Sequence, residues 1–262
     1  MEILKNHLFR FLFLSLFVLQ AFCSSAQKKN FYEIKIYHLA SDSQMTIVDH
    51  YLEVAYLPAL HRMGIGKIGV FKPLANDTAT DKKIYLLIPF HDLNEVAVLP
   101  GKLQKDEKYL SADKAYTQAV YNKPPFSRIE SILLQAFDSF PVLKKPVLSG
   151  PMTDRIYELR SYEGPTEAIH ANKIDMFNKG GEFDIFKRLN FNIVFCAEVI
   201  SGTHMPNLMY MPTFENMADH DIHWKNFGSD PKWKSLSSLP GYQNNVSHID
   251  VVFMHPASYS DL

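Results

Sequence analysis

Two segments of the chain alternate apolar and polar residues, which is the pattern of a half-buried β-strand. They read YEIKIYHL from Tyr32 and IYELRSYE from Ile156. After each of them, apolar residues recur every three or four positions and predict helical segments over 42–63 and 166–189. The same succession of patterns follows both openings. The chain therefore contains two weakly similar copies of one arrangement.

Each copy continues with two apolar strands, further helical segments and a last extended run. The strands are IGKIGVFK and KIYLLIPF in the first copy, and FNIVFCAEVI and NLMYMPTF in the second. This β-α-β-β-α-β order is that of a ferredoxin-like unit, whose helices cover only one face of the sheet. A second copy is the simplest cover for the other face. We therefore predict an α+β protein of two tandem ferredoxin-like units packed sheet to sheet, as in a dimeric α/β barrel.

The first residues of the chain differ in composition from all that follows. Lys5 and Arg10 precede and flank the apolar run FLFLSLFVLQAF, and small residues follow at Ser24–Ala26. This is the pattern of a secretory signal peptide over residues 1–26. The run is too short for a permanent transmembrane helix, although an uncleaved anchor is the alternative. We expect an exported protein, periplasmic or secreted, without a stable membrane span after cleavage.

The chain after the predicted signal peptide divides into two domains at a segment rich in proline. Residues 139–153 contain Pro141, Pro146 and Pro151 and are predicted to form an extended linker. Residues 27–138 are then an N-terminal ferredoxin-like domain, and 154–262 are its C-terminal counterpart.

Charge and cysteine content narrow the function classes. Lys and Arg total 27 against 28 Asp and Glu, with no basic run, so nucleic acid is not an expected partner. Beyond the predicted signal peptide the one cysteine is Cys196, which excludes an internal disulfide. Its apolar surroundings predict a buried thiol. The expected partner is a small molecule, and association with further copies of the chain is left open.

The second copy resembles the NIPSNAP family. The resemblance rests on RIYELRSY at Arg155–Tyr162, on His223-Trp224 and on the Asp-Pro-Lys-Trp segment at Asp230–Trp233. It covers residues 153–256 well and 30–138 faintly, since the first copy lacks both tryptophans. It implies a dimeric α/β-barrel domain. The wider superfamily includes cofactor-independent monooxygenases and haem-binding relatives, but no general reaction follows for NIPSNAP domains.

A helix predicted from Met217 to Phe227 places both of its histidines on one apolar stripe. The stripe contains Met217, His220, His223, Trp224 and Phe227. Two histidines are too few for a metal site, and no metal is predicted here. They are either core residues with hydrogen-bonding partners or acid–base groups lining a cavity. Asp230 is predicted to cap the following helix, with Pro231 in its first turn.

The alternation at Ile156 places Glu158, Arg160 and Tyr162 on one face of their strand. Because Leu159 suits the helix side, we predict that Arg160 and Tyr162 point into the barrel. A buried arginine requires an anionic partner, either Glu158 or a bound carboxylate. His170, early in a helix, is a further candidate for a cavity wall.

Three functions are compatible with these patterns. The first is binding of a small apolar or carboxylate-bearing molecule in a barrel cavity by Tyr162, Trp224, His170 and Phe227. The second is a cofactor-independent oxygenase or isomerase with His223 or His220 and Arg160 as catalytic residues; no cofactor is predicted. The third is a structural or assembly protein with a filled barrel. The first two require a cavity above about 300 Å³.

Overall fold

The computed structural model describes residues 28–262, so the predicted signal peptide lies outside the described residues. Within this range, strands β1 to β8 are Phe31–Leu39, Gly69–Pro73, Lys82–Phe90, Arg128–Ala136, Ile156–Glu163, Asn192–Ser201, Asn207–Phe214 and His248–Pro256. Helices α1 to α9 are Asp42–Tyr51, Leu57–Arg62, Leu93–Leu103, Glu107–Ala112, Lys114–Thr117, Glu167–Asn178, Glu182–Arg188, Met217–Ser229 and Pro231–Ser237. In this range no helix has the length and apolar character needed to cross a membrane.

The strands form one closed barrel in the order β1-β3-β2-β8-β5-β7-β6-β4, and every neighbouring pair is antiparallel. The two halves of the chain join along two seams. β2 meets β8 where Phe71 lies opposite Pro256, and β4 meets β6 where Leu134 lies opposite Val199. The protein is therefore a mixed α/β protein built on an eight-stranded antiparallel barrel. The four strands of each half pair edge to edge with those of the other half.

Apolar side chains fill the interior of this barrel. Tyr157 and Leu159 of β5 belong to the interior cluster, and the Tyr157 ring lies 4.8 Å from that of Phe71. Since side chains alternate along a strand, Arg160 and Tyr162 point outward to the helices, and the predicted inward orientation is wrong. The apolar row takes the interior, while the polar row finds its partners in the helix layer.

The helices of the second half begin and end where their sequences favour it. Asp230 caps α9 by accepting hydrogen bonds from the Lys232 and Trp233 amides at 2.9 and 3.1 Å, with Pro231 in the first turn, which confirms the prediction. The helical segment predicted over 166–189 is two helices, α6 and α7. Gly181 separates them with a φ of +94°, a conformation that favours glycine.

The proline-rich segment packs against both halves. It lacks regular secondary structure over 137–155. The Leu143 amide donates to Asn30 Oδ1 at 3.1 Å, and the Lys144 amide donates to the Val194 carbonyl at 2.9 Å. The segment is therefore extended and lies along the β4–β6 side of the barrel.

Candidate functional site

The candidate site is a cleft outside the barrel, between the outer face of β5 and β7 and the helices α6 to α9. Its volume is about 680 Å³. Aromatic rings and two basic groups line it, together with an amide-rich segment after α9. We call it the outer cleft, and its principal residues are Arg160, Tyr162, Lys173, Glu182, Tyr210, Trp224, Phe227, Trp233, Tyr242, Asn244 and Asn245.

Glu158 of β5 connects the strand to α8. Its side chain is 1% exposed and accepts a hydrogen bond from Arg160 Nη1. Its second oxygen, Oε2, accepts from Trp224 Nε1 at 2.7 Å and lies 3.4 Å from His220 Nε2. The anionic partner of Arg160 is therefore Glu158, the first of the two alternatives considered for this arginine.

Arg160 is further held by aromatic groups. Its Nη2 donates to the Tyr162 hydroxyl at 3.0 Å, and that hydroxyl is 2.9 Å from the Tyr210 hydroxyl. The guanidinium lies 4.6 Å from the centroid of the Trp224 ring, within the range of a cation–π interaction. Burial raises the pKa of Tyr210 well above its ordinary value, so its phenol stays neutral and able to donate.

A second buried ion pair lies in the wall of the outer cleft. Lys173 Nζ of α6 is 2.8 Å from Glu182 Oε2 of α7, and their side chains are 6% and 3% exposed. Burial raises the pKa of Glu182, and Lys173 and Arg160 oppose that shift. Neither residue was identified from the sequence. Their meeting depends on the break at Gly181, which folds α7 back onto α6.

The residues predicted from the sequence occupy different positions relative to the outer cleft. Arg160, Tyr162, Trp224 and Phe227 line it. His220 lies behind Trp224, with its ring 4.9 Å from Phe214. It contacts the cleft indirectly, through Glu158.

The other two predicted histidines lie away from the lining of the cleft. His223 Nδ1 is 2.9 Å from the Asp219 carbonyl, and its ring packs 5.3 Å from Phe191. His170 is 3% exposed, packs against Gly164 and has Nε2 3.5 Å from Glu198 Oε1. His223 therefore has the environment of a histidine held within the packed layer, whereas His170 Nε2 is buried and has no hydrogen-bond partner among the described residues.

Comparisons with known proteins identify the fold. No protein-family model matches the sequence, and a comparison with curated proteins found no match. Two bacterial structures, each named a "putative monooxygenase", share the architecture. The Lactobacillus acidophilus protein is 13% identical, aligned over 87% of this chain and 94% of its own, with a TM-score of 0.57. The Fusobacterium nucleatum protein is 6% identical, aligned over 88% and 93%, with a TM-score of 0.58.

A NIPSNAP domain protein from Burkholderia xenovorans also matches, at 17% identity over 39% of this chain and 95% of its own, with a TM-score of 0.34. The fold is identified by the two matches with TM-scores above 0.5, and at their low identities a structural likeness shows the fold alone. The protein is thus a mixed α/β protein with the closed barrel of the dimeric α/β-barrel fold. NIPSNAP proteins are among its structural neighbours over about two fifths of the chain.

Proposed function

We propose that this protein binds a small molecule in the outer cleft. The observation that carries the proposal is the convergence of Arg160, Trp224 and Trp233 on a space of about 680 Å³, which is the size of a typical ligand site. The barrel interior, where a ligand was expected from the sequence, is occupied by apolar side chains.

The charges around the cleft favour a particular kind of ligand. Arg160 is paired with Glu158, and Lys173 with Glu182, so neither cation is left without a counter-ion. The remaining lining combines aromatic rings with the amide groups of Gln243, Asn244 and Asn245. The cleft therefore suits a flat molecule that combines apolar surface with several hydrogen-bonding groups. A carboxylate-bearing aromatic remains within this class.

A second candidate function is acid–base catalysis, in a cofactor-independent isomerase or oxygenase. The observation that favours it is Glu182, a buried carboxyl group with a raised pKa in the wall of the cleft. A carboxyl group whose pKa is raised by burial is suited to proton transfer. Under this proposal Glu182 takes the acid–base role that the sequence suggested for His223 or His220. The isomerase form needs only proton transfer and is preferred.

Three finer assignments belong to the same proposal. We propose that the C-terminal half is a NIPSNAP domain, on the residues Arg155–Tyr162 and Asp230–Trp233. The common order of strands and helices in the two halves supports tandem ferredoxin-like units. The composition of residues 1–26 supports export. The filled barrel itself is what a structural protein would have, and the outer cleft is the reason that we prefer a binding function.

The binding proposal is tested by obstructing the cleft. Ser237 of α9 lines it, whereas Ser235 of the same helix is exposed and outside the lining. The purified protein is screened by thermal shift and native mass spectrometry against neutral aromatic compounds and aromatic acids. We expect some compounds to raise the melting temperature. Ser237→Trp should abolish that rise, and the matched Ser235→Trp should keep it.

Two results would contradict the proposal. One is the absence of any stabilising compound in both chemical classes. The other is equal stabilisation of the Ser237→Trp and Ser235→Trp variants, which would place the ligand elsewhere. For a compound that binds and is converted, Glu182→Gln should retain binding and lose turnover if Glu182 transfers the proton.

A further inference from the structure

One end of the barrel collects metal-ligating side chains that the outer cleft does not use. Glu163 is the last residue of β5 and lies opposite His248, the first residue of β8. Asp250 is two residues further along β8 and so shares a face of the sheet with His248. His204 lies in the turn between β6 and β7, with Nδ1 2.8 Å from Glu163 Oε1. We call these four residues the mouth cluster.

The spacing of the donor atoms suits one ion. Ligand atoms of Glu163, His248 and Asp250 all lie within 4.8 Å of one another, and His248 Nε2 is 3.1 Å from Asp250 Oδ1. Two ligands of a single zinc ion are separated by up to about 4 Å, because each bond is about 2.0–2.2 Å long. Small side-chain rotations are therefore enough to bring the donors onto one ion.

Glu163 carries an independent sign of a missing partner. Its Oε1 atom is shielded from solvent and accepts no hydrogen bond among the described residues. The short contact with His204 Nδ1 lacks hydrogen-bond alignment. A shielded carboxylate oxygen without a donor is costly, and a shared cation would satisfy it.

The other half of the chain places basic side chains at the same end of the barrel. Because neighbouring strands are antiparallel, β1 and β5, which are four places apart in the barrel, run in the same direction and end at the same mouth. In the first half, Arg128 takes the place of His248, opposite His38. Lys83 lies 3.5 Å from Asp81 at this end, and His38 lies 2.9 Å from Asp81 and 3.0 Å from Glu130. Among the described ion pairs, Glu163 and Asp250 contact only imidazoles, with no lysine or arginine beside them.

Carboxylates at the mouth also act on Tyr85 of the barrel interior. Burial, as the largest cause, together with Glu130, Asp81 and Asp250 raises the pKa of Tyr85 to about 12. Histidines offset the charge of such carboxylates only when protonated, whereas a divalent cation offsets it at neutral pH.

We infer that the mouth cluster binds a divalent transition-metal ion of the zinc class through Glu163, His248 and Asp250, with His204 beside Glu163. An imidazole nitrogen and two carboxylates are a ligand set that Zn²⁺ and Co²⁺ accept, whereas Mg²⁺ and Ca²⁺ prefer oxygen ligands. The ion would join β5 to β8. The helical stripe of α8 could not indicate this site, because the ligands lie on two strands that are far apart in the sequence.

The test is a titration of the chelator-treated full chain with Co²⁺, followed by visible absorption, and with Zn²⁺, followed by calorimetry. We expect one ion per chain and a d–d absorption that reports imidazole and carboxylate ligation. His248→Ala and Glu163→Gln should each weaken binding by about tenfold or more. His50→Ala, which removes an exposed histidine on α1, is the matched control and should bind as the unaltered chain does.

The inference would be overturned by the absence of saturable binding, or by equal binding in His248→Ala, Glu163→Gln and the control. Circular dichroism of each variant checks that the fold is intact; the substituted residues lie at the end of the barrel, outside its apolar core. Ser237→Trp in the outer cleft should leave the Co²⁺ spectrum unchanged. The metal titration therefore tests the mouth cluster independently of the proposed binding function of the outer cleft.

Discussion

The two halves of the chain place similar residues on equivalent strands and surround them with different side chains. In β1 the row facing the helices is Glu33, Lys35 and Tyr37, and in β5 it is Glu158, Arg160 and Tyr162. Tyrosine rings fill the space over the first row. The rings of Tyr51 and Tyr116 stack with centroids 3.5 Å apart, and the Tyr116 hydroxyl donates to that of Tyr37 at 3.2 Å. Over the second row the helices leave the outer cleft.

The difference between lysine and arginine explains part of this contrast. Lys35 makes a point contact, 3.6 Å from Glu33, and donates to the Tyr56 hydroxyl at 3.3 Å. The planar guanidinium of Arg160 bonds to Glu158 and Tyr162 at once and stacks on Trp224. Arginine can thus support a wall of large rings around an open space. The same arrangement of strands therefore carries a filled region in the first half and an open cleft in the second.

The largest expected effect is on stability, and it distinguishes the two buried glutamates, Glu158 and Glu33. Glu158→Gln leaves Arg160 without its counter-ion in a buried position, so we expect a loss of about 3 kcal/mol in the free energy of unfolding. Glu33→Gln should cost about 1 kcal/mol, because Lys35 is 3.6 Å from Glu33, beyond hydrogen-bond distance, and Ser131 can still donate a hydrogen bond. Urea unfolding of both variants measures the difference. Equal losses would show that the two rows are energetically alike.

Trp224→Phe tests the wall of the outer cleft. It removes the hydrogen bond of 2.7 Å to Glu158 Oε2 and leaves that oxygen short of a donor, at a cost of about 2 kcal/mol. It should also weaken the binding of any ligand found in the thermal-shift screen. A variant with unchanged stability would mean that His220 or water replaces the lost donor.

Tyr51→Phe tests the filled region by removing one hydroxyl. The Tyr51 hydroxyl lies 2.9 Å from that of Tyr109, and its loss should cost about 1 kcal/mol. The stacked rings remain, so the fold and the outer cleft should be unaffected. A loss as large as that of Glu158→Gln would show that the hydroxyl network, and not ring packing, holds the first half together.

The smallest expected effect on stability concerns the aspartate helix caps, which both halves share. Asp106 caps α4 and Asp230 caps α9, each bonded to an arginine, Arg62 and Arg188. The pKa of Asp106 is lowered chiefly by the Tyr109 amide, and that of Asp230 chiefly by Arg188. A lowered pKa gives stability that is present above the ordinary value of 3.8 and lost as the pH falls below it.

Asp106→Asn and Asp230→Asn should therefore lower the melting temperature slightly at pH 7 and by less at pH 3, and the effect is small because asparagine still caps a helix. Thermal melts at both pH values measure this. We expect the two variants to behave alike. That result would show that the helix caps are equivalent in the two halves. A clear difference between them at pH 7 would contradict that expectation.

Much of the local structure could be predicted from particular residues. The alternation at Tyr32 and Ile156 predicts β1 and β5, and the cap at Asp230 is where the sequence places it. The face that β5 turns inward could not be predicted, because both of its faces are covered. The contact between Lys173 and Glu182 is not evident from the sequence, because the pattern over 166–189 predicts one helical segment and does not reveal the break at Gly181.

The sequence by itself determined the strands, helices and caps, because these depend on residues a few positions apart. It also indicated a buried partner for Arg160 and the face of α8 that carries Trp224 and Phe227, although Met217 at the start of that stripe is exposed. Only the tertiary structure decided that the barrel interior is filled and that the cleft lies outside it. The physical reason is that a charged row can be buried on either face, wherever its partners are. Those partners come from α6, α7 and α8, which meet β5 only when the chain has folded.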